Sequence, residues 1–123
     1  MIKFFKCKKC GNIIVRIVGK NEDFDCCDEK MQELIPGEVD ASVEKHIPSI
    51  IKKDNEIVVE VGEVLHPMED KHYISFILLE TTNGYQIKYL NSNDAARAIF
   101  RVDEKIIAAY EYCTLHGLWK KEL

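Results

Sequence analysis

Four cysteines fall within the first 27 residues, Cys7 and Cys10 in "CKKC" and Cys26 and Cys27 in "FDCCDEKM", and they limit what the start of this chain can fold into. The piece that carries them ends at "LIPGEVD", where Pro36 and Gly37 punctuate the sequence. Residues 1–36 are fewer than the roughly 40 at which an apolar core usually suffices without disulfides or metal. Something must staple this piece. Two thiolates two residues apart on a tight turn can grip one ion, and Gly11 leaves room for that turn. The second pair is adjacent, and neighbours on a straight strand would point to opposite faces, so a bend is expected at Cys26–Cys27. A closed tetrahedral thiolate site suits iron or zinc, and the ligands alone do not separate the two. The competing readings are four unmetallated buried thiols, or a strained disulfide between adjacent residues.

The bulk properties favour the metal. With 123 residues the chain holds one ordinary domain, or one small domain plus an appendage. At 46% hydrophobic and 31% charged its composition is globular. No apolar run reaches the roughly 18 residues of a membrane span. "MIKFFKCKK" is too short in its apolar part for a signal peptide. The expected compartment is therefore the cytoplasm, where disulfides are rare and clustered cysteines bind metal, and an odd total of five cysteines points the same way. A net charge of -4, without a basic stripe interleaved with aromatics, argues against a nucleic-acid partner.

"NIIVRIVG" is the best regular stretch of the N-terminal piece and reads, with the polar turn after it, as a small hairpin-like unit. Beyond residue 38 the pattern is all-β. "EIVVEVGEV" sets Ile57, Val59 and Val61 on one face, with Val58 and Glu60 on the other. "HYISFILLE" is an apolar strand, Asn83-Gly84 gives a hairpin signal before "YQIKYL", and "AIFRV" and "KIIAAYEY" supply two more strands. Short strands with turns between them imply a sandwich. Only "NDAARA" hints at helix.

The fifth cysteine, Cys113, stands far from the others and three residues before His116 in "CTLHG". The remaining histidines are His46 in "EKHIP" and His66 and His72 in "HPMEDKHY". A single histidine is more often a surface or satisfied core residue than a ligand, but all four fall at strand ends or in loops. Pro48 and Pro67 stiffen two of those segments, which fixes a ligand before a metal arrives. Cys113 and His116 can reach one ion from a single turn of chain. Their short span predicts binding through Nδ1 of His116 and through Nε2 of the other three.

Together, "EKHIP", "HPMEDKHYI" and "YCTLHGLW", behind C-x2-C-x15-C-C, resemble the desulfoferrodoxins, the two-iron superoxide reductases, over nearly the whole chain. The resemblance implies a desulforedoxin- or rubredoxin-like metal domain over residues 1–36, then an immunoglobulin-like β-sandwich, the superoxide reductase domain, over 37–123. It implies two iron ions per chain. Cys7, Cys10, Cys26 and Cys27 would hold an Fe(Cys)4 centre; His46, His66, His72 and His116 would surround the second iron, with Cys113 as its axial ligand. It also implies a homodimer and a rubredoxin-like electron donor. Three positions depart from the family pattern: Asp28 stands where glycine is common, Phe76 where tryptophan is usual, and Thr114 where asparagine is usual. None removes a ligand, and Asp28 adds negative charge beside the thiolates.

Four imidazoles in a plane and one thiolate would leave one open position for a small anion, with the thiolate pushing electron density through the metal towards it. The implied reaction is reduction of superoxide to hydrogen peroxide without release of dioxygen. Lys45 is the candidate for drawing in the anion and assisting its protonation, while Lys71 reads as a solvated loop lysine. Glu44 resembles the carboxylate that caps the open position in the oxidised resting state of the family. Trp119, Tyr112 and Leu118 read as core that shields the thiolate and ring edges, and Gly117 either as a point of close backbone approach or as a plain turn glycine. The first centre reads as a staple that turnover does not require. Two non-enzymatic alternatives compete. One is an electron carrier of the blue-copper kind, although those sites use two histidines and no methionine follows His116. The other is a zinc-ribbon interaction module in which the histidines are incidental.

Overall fold

The computed structural model describes residues 2–20, 23–37, 46–62 and 67–123. The chain divides into two compact units, Met1–Ile35 and Pro36–Leu123. Among the described residues every regular element is a β-strand, and the strands pair antiparallel.

The first unit contains β1 (Lys3–Lys6), β2 (Ile13–Arg16), β3 (Asp25–Cys26), β4 (Glu29–Lys30) and β5 (Gln32–Leu34). Three of them form a sheet in the order β2-β1-β5, and β3 and β4 form a separate hairpin. The β-branched run at Ile13–Arg16 does not fold back on itself; its partner is "KFFK", in the register Lys3↔Arg16 to Lys6↔Ile13. Flanking lysines hid that strand, although Phe4 and Phe5 are both buried. The interior is very small. Among the described residues Phe5, Cys7 and Met31 form one buried cluster, with Phe24 and Cys26 against it and Phe24 edge-on to Phe5 at 4.9 Å; Ile2 and Phe4 are this unit's other buried hydrophobics. An apolar nucleus of that size cannot offset the ordering entropy of some 35 residues, each costing on the order of 1–2 kcal/mol.

The second unit contains β6 (Pro48–Lys53), β7 (Glu56–Val61), β8 (Ile74–Thr81), β9 (Gly84–Tyr89), β10 (Arg97–Arg101), β11 (Ile106–Cys113) and β12 (Gly117–Glu122). They make a three-stranded sheet, β10-β7-β6, and a four-stranded sheet, β12-β11-β8-β9. One core joins the two sheets: Ile57, Val59 and Val61 of β7 and Phe100 of β10 cluster with Ile77 and Leu79 of β8 and Ala109 and Cys113 of β11. The alternation expected in β7 is therefore the alternation found. The β8–β9 hairpin is present, but its loop is Thr82-Asn83 and Gly84 already pairs with Thr81. Thr81 Oγ1 accepts from the Asn83 N–H at 3.3 Å and donates to the Gly84 carbonyl at 3.3 Å, so a side-chain turn replaces the glycine-centred one. "NDAARA" forms no helix. Asp94 Oδ2 accepts from the Asn91 N–H at 2.7 Å, an Asx-type contact that competes with helix at that point.

Candidate metal centres

Cys7 directly follows β1 and enters a turn closed by the Gly11 N–H on the Cys7 carbonyl at 2.9 Å, with Gly11 at φ +81°. The expected bend in the second pair is the β3–β4 turn: Cys27 and Asp28 are both left-handed, at φ 54° and 60°. That conformation costs an ordinary L-residue roughly 1–2 kcal/mol, so it is held by something beyond local preference. The four sulfurs face one another, with donor atoms all within 4.8 Å. Cys10 Sγ lies 3.5 Å from Cys26 Sγ, and Cys26 Sγ lies 3.9 Å from Cys27 Sγ. Thiolates about 2.3 Å from one ion at tetrahedral angles sit about 3.8 Å apart, whereas a disulfide would bring a pair to about 2.05 Å. All five cysteines are free thiols. The donor set fits a metal.

The thiol protons are distributed unevenly. The Cys10 backbone N–H directed at its sulfur holds Cys7 down at about 6, against the opposing effect of burial. Hydrogen bonding with Cys7 and then Cys10, with burial adding to it, pushes Cys26 up to about 12. Cys27 is raised too, chiefly by its contact with Cys10. Four sulfurs this close cannot all carry charge unless a cation replaces the protons.

The second cluster lies at one end of the sandwich. His46 stands two residues before β6, whose first residue, Pro48, is fully buried and pairs with Val61. Cys113 is the last residue of β11, a member of the core with 0% exposure. A bulge between Tyr112 and Cys113 in the β8–β11 register places the extra residue, Ser75, in β8 and returns Ile74 to the interior beside Cys113. His116 stands in the turn that follows. Gly117 closes this turn at φ +87°, and a Cβ there would meet nothing within 4 Å. It is a turn glycine; close approach is not its reason.

His72 is held from two sides. Its own turn is closed by the Glu69 N–H on the His72 carbonyl at 2.9 Å and the His72 N–H on the Glu69 carbonyl at 3.1 Å. Thr114, directly after Cys113, hooks the same segment. Its Oγ1 accepts from the Tyr73 N–H at 3.1 Å and donates to the Lys71 carbonyl at 3.3 Å, while its own N–H donates to the Tyr73 carbonyl at 3.0 Å. Sequence reasoning had Thr114 only as a departure from a family pattern. Here it joins the strand of one sulfur donor to the loop of one imidazole.

These elements bring His46, His72, Cys113 and His116 together, with donor atoms within 4.8 Å of one another. Nδ1 of His116 and Nε2 of His46 are 3.1 Å apart, and Cys113 Sγ lies 3.7 Å from the same Nδ1. Two imidazole nitrogens each about 2.1 Å from one ion, at right angles, would lie about 3 Å apart. The rings also stand steeply to one another: His46 and His116 at 70°, His72 and His116 at 81°. His46 and Cys113 are buried, whereas His116 is exposed, so the cluster has an apolar inner side and one open to solvent. His66, Glu44 and Lys45 lie outside the described residues. Glu111 escaped the sequence reading. It has 0% exposure and shares the inward face of β11 with Ala109 and Cys113. A lone carboxylate inside "KIIAAYEYC" was the available signal.

Four thiols at one site, and imidazoles with a buried thiol at another, on an all-β chain, define a non-haem metalloprotein with two separate mononuclear centres. The desulfoferrodoxin family profile matches residues 38–122. The chain is 41% identical to a desulfoferrodoxin of Nitratidesulfovibrio vulgaris, over 98% of this chain and 95% of that one. It is 39% identical to a desulfoferrodoxin of Desulfarculus baarsii, over 98% and 96%. Its fold matches the superoxide reductase of Treponema pallidum with a TM-score of 0.87 at 32% identity, over 99% of this chain and 98% of that one. This chain belongs to the desulfoferrodoxin family. The four-cysteine cluster and the histidine–cysteine group fit the two iron sites of that family.

Proposed function

We propose that this chain is a superoxide reductase, taking superoxide at the histidine–cysteine centre and releasing hydrogen peroxide. One observation carries the reading: three imidazoles and the buried Cys113 sulfur converge from three separate parts of the sandwich on one point. Iron bound there supplies a one-electron couple, so that superoxide, one electron and two protons give hydrogen peroxide and no dioxygen.

The residues of the chain set the conditions for that step. Cys113, inside the core, offers its sulfur from a side that water does not reach. His46, His72 and His116, together with His66, supply the imidazoles, with His116 through Nδ1; the 3.1 Å approach of that atom to Nε2 of His46 supports the assignment. The exposed edge at His116 is the side from which a small anion arrives. Lys45, next to His46 in sequence, would draw in the anion and assist its protonation, and Glu44 would offer a carboxylate to the oxidised iron. The Cys7, Cys10, Cys26 and Cys27 centre staples a desulforedoxin-like domain, residues 1–36, ahead of an immunoglobulin-like domain, residues 37–123. A rubredoxin-like protein supplies the electron, the chain acts as a homodimer, and it works in the cytoplasm. No helix of the described residues is long and apolar enough to cross a membrane.

Metal analysis after anaerobic reconstitution tests the reading. Two irons per chain, one of them lost in Cys113→Ser together with superoxide reduction, is the expected result. One copper would support an electron carrier, and one zinc an interaction module.

A further inference from the structure

Trp119 is the only tryptophan of the chain, and three contacts converge on its indole. Its ring stacks on His46, with centroids 4.8 Å apart and planes within 14°. Its Nε1–H donates to the His116 carbonyl at 3.2 Å. On a third side it meets Gly37, which is bonded to β12 on both sides of the indole: the Gly37 N–H donates to the Leu118 carbonyl at 2.9 Å, and the Lys120 N–H donates to the Gly37 carbonyl at 2.9 Å. A Cβ at Gly37 would lie 2.7 Å from both Cε3 and Cζ3 of Trp119. Real Cβ atoms do not approach that closely, and a backbone pinned by two hydrogen bonds has little room to withdraw.

We infer that Trp119 is a positioning residue of the histidine–cysteine centre, with Gly37 as the backstop that keeps the indole in place. The indole face fixes the plane of His46, and the indole N–H fixes the backbone of the turn that presents His116. These are the two imidazoles whose nitrogens stand 3.1 Å apart. A metal site made of side chains from distant strands needs its ligands held before the ion arrives, and groups that orient ligands typically contribute ten- to a hundred-fold in metal affinity, on the order of what is expected here. Gly37 is glycine for a steric reason: space for the indole, not an unusual φ.

The inference rests on the reading of this cluster as an iron centre, and the test separates the two. Iron-loaded wild type, Trp119→Leu, Trp119→Phe, Gly37→Ala and the Gly37→Ala/Trp119→Leu double variant are compared by iron retained against a chelator and by the sulfur-to-iron charge-transfer band of the oxidised second centre. The iron of the four-cysteine centre serves as internal control. Trp119→Leu should lose second-site affinity by about ten- to a hundred-fold and shift the band, leaving the first iron in place. Trp119→Phe, which keeps a ring against His46, should lose distinctly less and keep the band. Gly37→Ala should behave like Trp119→Leu, shift the emission of the single tryptophan, and cost nothing further once Trp119 is Leu. A band and affinity unchanged in Trp119→Leu, equal losses for Leu and Phe, or equal costs of Gly37→Ala in both backgrounds would each overturn it. If Gly37→Ala does not fold, the Leu and Phe pair decides alone. A wild type that takes up no second iron sinks the iron-centre reading instead.

Discussion

Thr114→Val removes one oxygen and almost nothing else. The shape is retained, and so is the Thr114 N–H bond to the Tyr73 carbonyl at 3.0 Å. Two side-chain hydrogen bonds disappear, from the Tyr73 N–H at 3.1 Å and to the Lys71 carbonyl at 3.3 Å. Each is worth about 0.5–1.5 kcal/mol net, and partial exposure puts the pair near the lower end, about 1–2 kcal/mol. The two bonds straddle His72, so the loss falls on the placement of that ring. If the whole of it appears in binding, second-site iron affinity falls roughly five- to thirty-fold. The assay is a chelator competition that follows both irons in one sample, with Thr114→Ser as the control that keeps the hydroxyl. Thr114→Val should release the second iron earlier while the first titrates as in wild type, and Thr114→Ser should restore most of the affinity. Equal affinity in Val and wild type would show that the hook does not hold His72. An equal loss in Ser and Val would show that the methyl group, not the oxygen, matters.

Three further outcomes follow from the charges and sulfurs. Lys45→Ala should slow the encounter with superoxide and flatten its dependence on salt with iron content unchanged; an unaltered rate at low salt would refute a steering role. Cys10→Ser should lose the first iron and keep much of the superoxide reduction, and loss of activity with the second iron still bound would contradict the staple. In the metal-free protein Cys26 is pushed up to about 12 and stays protonated at neutral pH, whereas Cys7, held near 6, is already ionised. Metal entry must expel the Cys26 proton at any working pH, so zinc affinity at this cluster should rise by about tenfold per pH unit for each proton displaced. Competition titrations at pH 6, 7 and 8 check the slope, and a flat profile would contradict it.

The central strands were legible because each strand is apolar where it meets the core. Ile57, Val59 and Val61 alternate in β7, and Ile77 and Leu79 mark β8. Two of the sheet edges were not, although the edge strands β9 and β10 were. β6 ends in Lys52-Lys53 and β12 carries Lys120-Lys121, and both strands lie at the edge of their sheet, where lysine discourages further pairing and breaks the apolar period. β1 is only four residues long and lysine-flanked, so its burial was invisible until β2 and β5 were seen on either side. The two groups of cysteines and histidines that the structure brings together were candidates from residue type and spacing, with His66 outside the described residues. What surrounds them was not legible. Thr114, Trp119 and Gly37 act through contacts between residues distant in sequence, and a threonine beside a cysteine or a glycine after a proline looks ordinary on a line of letters. Trp119 reads as core, yet the structure leaves it half-buried, stacked on a ligand ring and hydrogen-bonded to the turn of another.

The most direct measurement is a stoichiometric superoxide pulse given to the anaerobically reconstituted, fully reduced protein, with hydrogen peroxide and dioxygen assayed together. One peroxide for each superoxide consumed, no dioxygen, and oxidation of the second iron is the predicted result. Dioxygen released at half the superoxide consumed would mean dismutation, and no consumption beyond the spontaneous rate would mean that the convergence of Cys113 with the histidines serves some other chemistry.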